Sequence, residues 1–138
     1  MYAKIMVPVD LAHKDRMAKA IDTACALASL WGAELVFVGV AGNVPGSVAH
    51  NPQEFSDKLA AFADEQAAAH GIVATAHAAI SHDPAVDLDP TLLKAVEDTG
   101  ADLVVMASHI PKLTDYVWPS NGGTVATRAS ASVLVVRG

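Results

Sequence analysis

The sequence has very little cysteine and few aromatic or charged residues. Cys25 is the only cysteine among 138 residues, so the chain cannot form an internal disulfide, and we expect a reducing compartment, the cytoplasm. Aromatic residues make up 5% of the chain and charged residues 17%, whereas 52% of the residues are hydrophobic. The core should therefore consist of closely packed small side chains, mainly alanine and valine. The length fits a single domain over residues 1–138.

Two further absences restrict the partners. The apolar runs are far shorter than the roughly 20 residues needed to cross a bilayer, and the first residues do not resemble a signal peptide, so we expect a soluble protein without membrane contact. Nine basic residues against fifteen acidic residues give a net charge of −6, and the basic residues are scattered along the chain. We expect no nucleic-acid partner, because nucleic-acid binding needs clustered lysine and arginine.

What the sequence does contain is a regular alternation of short apolar runs and helical periodicity. The apolar runs predict strands at Ile5–Val9, Glu34–Val40, Ile72–Ile80, Leu103–Ala107 and Val133–Val136. Helices are predicted from Asp15 to Gly32, from Asn51 to His70, from Asp89 to Gly100, and after Ser120. Loops are predicted at Ala41–His50 and Ser81–Leu88. This alternation indicates an α/β fold, with a parallel sheet covered by helices on both faces.

A parallel sheet also predicts where a ligand site should lie. In open sheets of this kind, ligands bind beyond the carboxyl ends of the strands, near the point where the strand order reverses. The residues that leave the strands there are Asp10, Val40 with Ala41, Ser81 with His82, and Met106 to His109. Asp10 has two possible roles: it caps a nearby helix or loop, or it hydrogen-bonds a ligand hydroxyl or base.

The segment Asp102–Arg137 indicates that the ligand is anionic. Its central loop closes on Ser120-Asn121-Gly122-Gly123, where a helix can begin. Free backbone N–H groups at a helix start bind phosphate groups, so the segment predicts a phosphate-group binder, for a nucleotide. The alternative is that Gly122 and Gly123 only allow the helix to pack tightly on the sheet.

Three pieces of the chain resemble the universal stress protein family: KIMVPVD at Lys4–Asp10, GADLVVMASH at Gly100–His109 and SVLVVR at Ser132–Arg137. The order and length of the predicted elements resemble that family over the whole chain. The resemblance implies one open five-stranded parallel sheet, Rossmann-like and similar to adenine nucleotide alpha hydrolases, with strand order 3-2-1-4-5. It also implies ATP binding at the strand ends, which is the property of the family's nucleotide-binding members.

The glycine-rich ATP signature of the family is altered in this chain. Its three glycine positions correspond to Ala107, Ile110 and Pro119. A variant branch of the family, of which some members bind ATP, is more similar: it has Ala-Ser-His, then a proline, a tyrosine and Gly-Ser-Asn, matched here by Ala107-Ser108-His109, Pro111, Tyr116 and Ser120-Asn121. Pro119 replaces that branch's last glycine. Proline has a fixed φ and no N–H, so a phosphate site would shift to Ser120, Asn121 and the Gly122-Gly123 turn.

The resemblance therefore implies a site for ATP or AMP, with or without Mg²⁺, at the carboxyl ends of strands 1, 2 and 4. Its predicted residues are Pro8, Val9, Asp10, Val40, Met106, Ala107, His109, Ile110, Ser120, Asn121 and Gly122. We expect a stress-response or signalling module without dedicated catalysis, with at most slow ATP hydrolysis. The sequence has no nucleophile elbow, no Walker loop and no paired carboxylates at a strand exit. The alternative is a ligand-free dimeric interaction module of the same family that has lost nucleotide binding.

Three further predictions concern metals, the core and association. His13, His82 and His109 lie in predicted strand-exit loops, but neither a paired histidine spacing nor a cysteine partner indicates a metal site. Cys25 is expected in the core. The last strand, Ser132–Arg137, would expose unpaired backbone groups as an edge strand, so we predict that it pairs with a second copy in a homodimer or larger assembly. Alternatively, the fourth helix covers this strand.

Overall fold

The computed structural model of the protein describes residues 1–41, 51–81, 84–107 and 130–137, with residues 84–89 described by their backbone alone. Five parallel strands form one sheet in the order β3-β2-β1-β4-β5. They are β1 Lys4–Val9, β2 Glu34–Ala41, β3 Ala74–Ile80, β4 Leu103–Ala107 and β5 Ser132–Val136. A 3-10 helix, Leu11–Met17, precedes α1 Ala18–Trp31, and the other helices are α2 Pro52–His70 and α3 Pro84–Thr99. The predicted sheet and strand order are confirmed; the predicted fourth helix lies outside the described residues.

The helix boundaries follow mostly from local chemistry. The Asn51 side chain accepts a hydrogen bond from the Glu54 N–H at 2.8 Å, with Pro52 as the first helical residue, which confirms the predicted start of α2. The predicted terminators Gly32, Gly71 and Gly100 follow their helices with φ values of 63°, 63° and 71°. This left-handed backbone favours glycine because it has no Cβ.

The predicted start of the third helix was wrong. Asp89-Pro90 has the pattern of a cap followed by a first-turn proline, but α3 begins at Pro84 and contains Pro90, so part of the predicted loop Ser81–Leu88 is helical. An internal proline fits the helical φ and removes one hydrogen bond. Leu92 and Val96 of α3 are 0% and 2% exposed, and this burial offsets the lost bond.

The core lies on both faces of the sheet. On one face, α1 and α2 contact each other, and Phe37 of β2 packs edge-on against Phe62 of α2 with ring centroids 5.0 Å apart. Helix α3 contacts β1, β2 and β3 from the opposite face, as right-handed crossovers require. Cys25 is fully buried, as predicted for a core residue. Within the described ranges, no helix has the length and apolar character to cross a membrane.

Hydrogen bonds also tie the amino-terminal edge of the sheet together. The Asp102 carboxylate accepts from the Ala3 N–H at 2.9 Å and from the Lys4 N–H at 3.0 Å, so it links the start of β1 to the start of β4. The Tyr2 hydroxyl donates to Oγ of Ser132, the first residue of β5, at 2.9 Å. These contacts hold the three neighbouring strands in register at the end opposite the predicted ligand site.

Candidate functional site

The hydrogen-bond ladder between β1 and β4 stops before the carboxyl edge of the sheet. Pairing of β1 with β2 continues to Val9↔Gly39, whereas the described pairing of β1 with β4 ends at Met6↔Val104. Beyond that point β4 still pairs with β5 as far as Ala107↔Val136. The strand order also reverses between β1 and β4, and a crevice lies outside the carboxyl ends of an open parallel sheet at such a point.

Pro8 provides a physical reason for the short ladder. The Lys4 carbonyl accepts a hydrogen bond from the Asp102 N–H at 3.0 Å, so the polar backbone groups of Lys4 are directed toward β4. Backbone direction alternates along a strand, so Met6 and Pro8 are directed toward β4 as well. Proline has no N–H to donate to that neighbour. The sequence prediction that Pro8 lies near the strand exit is confirmed, since it is the penultimate residue of β1.

Asp10 leaves β1 beside this crevice and acts as a helix cap. Its carboxylate accepts from the Ala12 N–H at 3.0 Å and lies 3.0 Å from His13 Nδ1, and its own N–H donates to Met17 Sδ at 3.3 Å. The Asp10 side chain remains 27% exposed. A carboxylate has about four acceptor positions, so this cap leaves acceptor capacity for a ligand. Of the two roles considered for Asp10, the structure shows the capping role. This role does not exclude the other, a hydrogen bond to a ligand.

The other described site residues surround the crevice from three adjacent strands. Val9, Met106 and Ala107 are buried, with exposures of 2%, 0% and 6%, and Pro8 is buried too. Their side chains therefore contribute to the packing of the sheet. Val40 at the end of β2 is half-buried, so its side chain forms accessible apolar surface. These residues meet at the carboxyl edge as predicted.

The predicted phosphate side of the site lies beyond the described part of the chain. His109, Ile110, Ser120, Asn121 and Gly122 all fall outside the described residues. Of the three histidines considered for a metal, His82 and His109 lie outside as well, and His13 contacts Asp10. Among the described residues, no group of three or more histidine, cysteine or acidic side chains could hold a metal ion.

Ser81 is a residue at this edge that the predicted site omitted. It follows β3 directly, its N–H donates to the Ala41 carbonyl at 2.8 Å, and it is 4% exposed. Its hydroxyl has no hydrogen-bond partner among the described residues. The sequence signal was its position at a strand exit, but its burial depends on the surrounding fold.

The fold is that of an open parallel α/β protein whose strand order reverses between β1 and β4, where proteins of this class bind ligands. The chain belongs to the universal stress protein family, whose family model matches residues 1–137. Universal stress protein G of Shigella flexneri is 28% identical over 152 residues, which cover 99% of this chain and all of that protein.

Solved structures show the same fold at lower identity. A universal stress protein family member from Burkholderia pseudomallei has a TM-score of 0.71 and 21% identity, covering 98% of this chain and 96% of its own. The Archaeoglobus fulgidus protein in complex with dAMP has a TM-score of 0.65 and 18% identity, with 97% of each chain covered. An Arabidopsis thaliana family member with AMP bound has a TM-score of 0.65 and 13% identity, covering 98% of this chain and 91% of its own.

Proposed function

We propose that this protein is a nucleotide-binding module that holds ATP or AMP at the carboxyl ends of β1, β2 and β4. The observation that carries the proposal is the reversal of the strand order between β1 and β4, which places Asp10 and Ala107 at the crevice outside the carboxyl ends of these strands. Two structural neighbours with the same fold hold dAMP and AMP, which supports an adenine nucleotide as the ligand class.

The described residues suit the nucleoside part of such a ligand. Val40 offers half-buried apolar surface for a base, and the partly exposed Asp10 carboxylate can accept hydrogen bonds from ribose hydroxyls. The phosphates, with Mg²⁺ if it is bound, would extend toward His109, Ile110 and the Ser120–Gly122 turn; this part of the proposal rests on the sequence. The module acts in stress response or signalling and has no dedicated catalytic activity. A partner recognises its nucleotide-bound state.

Calorimetric titration of nucleotide-free protein with ATP and AMP tests the proposal. We expect saturable binding of at least one of them, and the absence of both binding heat and a melting shift would refute the proposal. The informative variant is Asp10→Asn, because asparagine caps a helix as well as aspartate does but is a weaker acceptor for ribose hydroxyls. We expect this variant to bind about tenfold more weakly or worse with nearly unchanged stability. Asp64→Asn, an exposed change of the same charge on α2, is the matched control.

The exposed edge of β5 favours a second candidate function, a dimeric interaction module. The strand Ser132–Val136 lies at the sheet edge, Leu134 is 38% exposed, and Val133, Val135 and Val136 are only half-buried. Pairing with the β5 strand of a second copy would hydrogen-bond the outer backbone groups of this strand and cover this apolar surface. Light scattering at micromolar concentration should give the mass of a dimer. A dimeric protein that binds no nucleotide would favour this function over the first.

A further inference from the structure

Ser81 has an unusual environment for a hydroxyl group. Its side chain is 4% exposed, yet no described residue accepts from or donates to its Oγ atom. A buried hydroxyl without a partner destabilises a folded protein, because water no longer solvates it. Buried polar groups in native structures are nearly always hydrogen-bonded, so we expect Ser81 Oγ to have a partner beyond the described residues, such as a bound ligand.

The backbone places the Ser81 side chain on the face of the sheet that carries Val40. The hydrogen bond from the Ser81 N–H to the Ala41 carbonyl extends the β2–β3 pairing, in which Val40 is opposite Ala79 and Ala41 is opposite Ile80. Side chains alternate between the two faces along a strand, so Ser81 shares a face with Ala79 and Val40. The side chain of Ile80 lies on the opposite face and is 47% exposed, whereas Ser81 is buried.

We propose that Ser81 is a specificity-determining residue of the nucleotide site and that its hydroxyl hydrogen-bonds the base of the bound nucleotide. This inference rests on the proposed nucleotide binding. The side chains beside it on this face, Val40 and Ala79, are uncharged and apolar. Such surroundings fit a neutral aromatic base better than a phosphate, and a hydroxyl can both donate to and accept from the edge of a base.

The test compares Ser81→Ala with the unaltered protein, using adenosine and ATP as probes. Both ligands contain the base, and only ATP carries phosphates, so the pair of probes shows which part of the ligand Ser81 meets. We expect Ser81→Ala to weaken binding of adenosine and of ATP by the same factor, about five- to tenfold. Without ligand, the variant should melt at or above the temperature of the unaltered protein, because it no longer buries an unpaired hydroxyl. Ser29→Ala, on the exposed surface of α1, is the control and should change neither measurement.

Each other outcome overturns a defined part of this inference. Loss of ATP binding with unchanged adenosine binding would place Ser81 at the phosphates and refute the contact with the base. Unchanged binding of both ligands would refute any ligand role for Ser81 while leaving the nucleotide site intact. A lower melting temperature without ligand would show that the hydroxyl already has a structural partner. If the unaltered protein binds neither probe, the proposed function itself fails, and the role of Ser81 fails with it.

Discussion

Replacing Asp102 with asparagine tests how the amino-terminal edge of the sheet is held. The Asp102 carboxylate accepts hydrogen bonds from two consecutive N–H groups, those of Ala3 and Lys4, before β1 and β4 begin to run side by side. Asparagine has nearly the same shape but only one acceptor oxygen and no charge. The substitution therefore removes one hydrogen bond and weakens the other without creating a cavity.

The expected loss of stability is modest because the site is partly exposed. Hydrogen bonds to a charged group contribute about 1.5–3 kcal/mol when they are well buried. Solvent competes for both N–H groups here, so we discount the loss to about 1 kcal/mol. For a chain of 138 residues, the usual unfolding entropy per residue converts this loss into a decrease of about 3 °C in melting temperature.

The loss should also depend on pH. Burial by itself raises the pKa of Asp102, but the hydrogen bonds from the Ala3 and Lys4 N–H groups outweigh it and hold the pKa below its ordinary value of 3.8. A carboxyl group with a lowered pKa stabilises the fold above its unfolded pKa, and this contribution disappears as the pH falls through the folded pKa. The difference between the unaltered protein and Asp102→Asn should therefore be constant near neutral pH and shrink below about pH 4.

Urea unfolding at a series of pH values between 7 and 3 measures both the loss of stability and its dependence on pH. The control is Asp64→Asn, which makes the same chemical change at an exposed position of α2. We expect the control to differ little from the unaltered protein throughout. A difference for Asp102→Asn that stays the same down to pH 3, or an equal loss in the control, would refute the role given to the two N–H hydrogen bonds.

Three further predictions concern packing, capping and reactivity. Gly39→Ala should destabilise the protein by about 1–3 kcal/mol, because the new methyl group would lie 2.8 Å from the buried ring of Phe55; Phe55→Leu should relieve much of this loss in the double variant. Asn51→Ala should cost about 1 kcal/mol in urea unfolding by removing the 2.8 Å bond to the Glu54 N–H, whereas Asn51→Ser should keep most of the stability. Burial, assisted by the Asp22 charge, raises the pKa of the Cys25 thiol to about 11, so iodoacetamide should modify Cys25 only after unfolding; rapid labelling of the native protein would contradict its core position.

Much of the fold could be predicted because its signals are local. Short apolar runs between helical stretches predicted all five strands to within about two residues at their ends. The start of α2 followed from Asn51 and Pro52, and the helix ends followed from glycines that adopt a left-handed backbone. The parallel strand order, predicted from the family resemblance, then placed Asp10, Val40 and Met106 at one edge.

Tertiary structure decided the features that depend on distant neighbours. Helix α3 runs through Pro90 because burial of its apolar face offsets a lost hydrogen bond, which no local pattern reveals. The missing N–H of Pro8 shortens the hydrogen-bond ladder between β1 and β4 only because the strand geometry directs that residue toward β4. The burial of the Ser81 hydroxyl, which has no partner among the described residues, likewise exists only in the folded sheet. The sequence by itself determined which elements form and where a site should lie. Packing and strand pairing decided which groups are available to contact a ligand at that site.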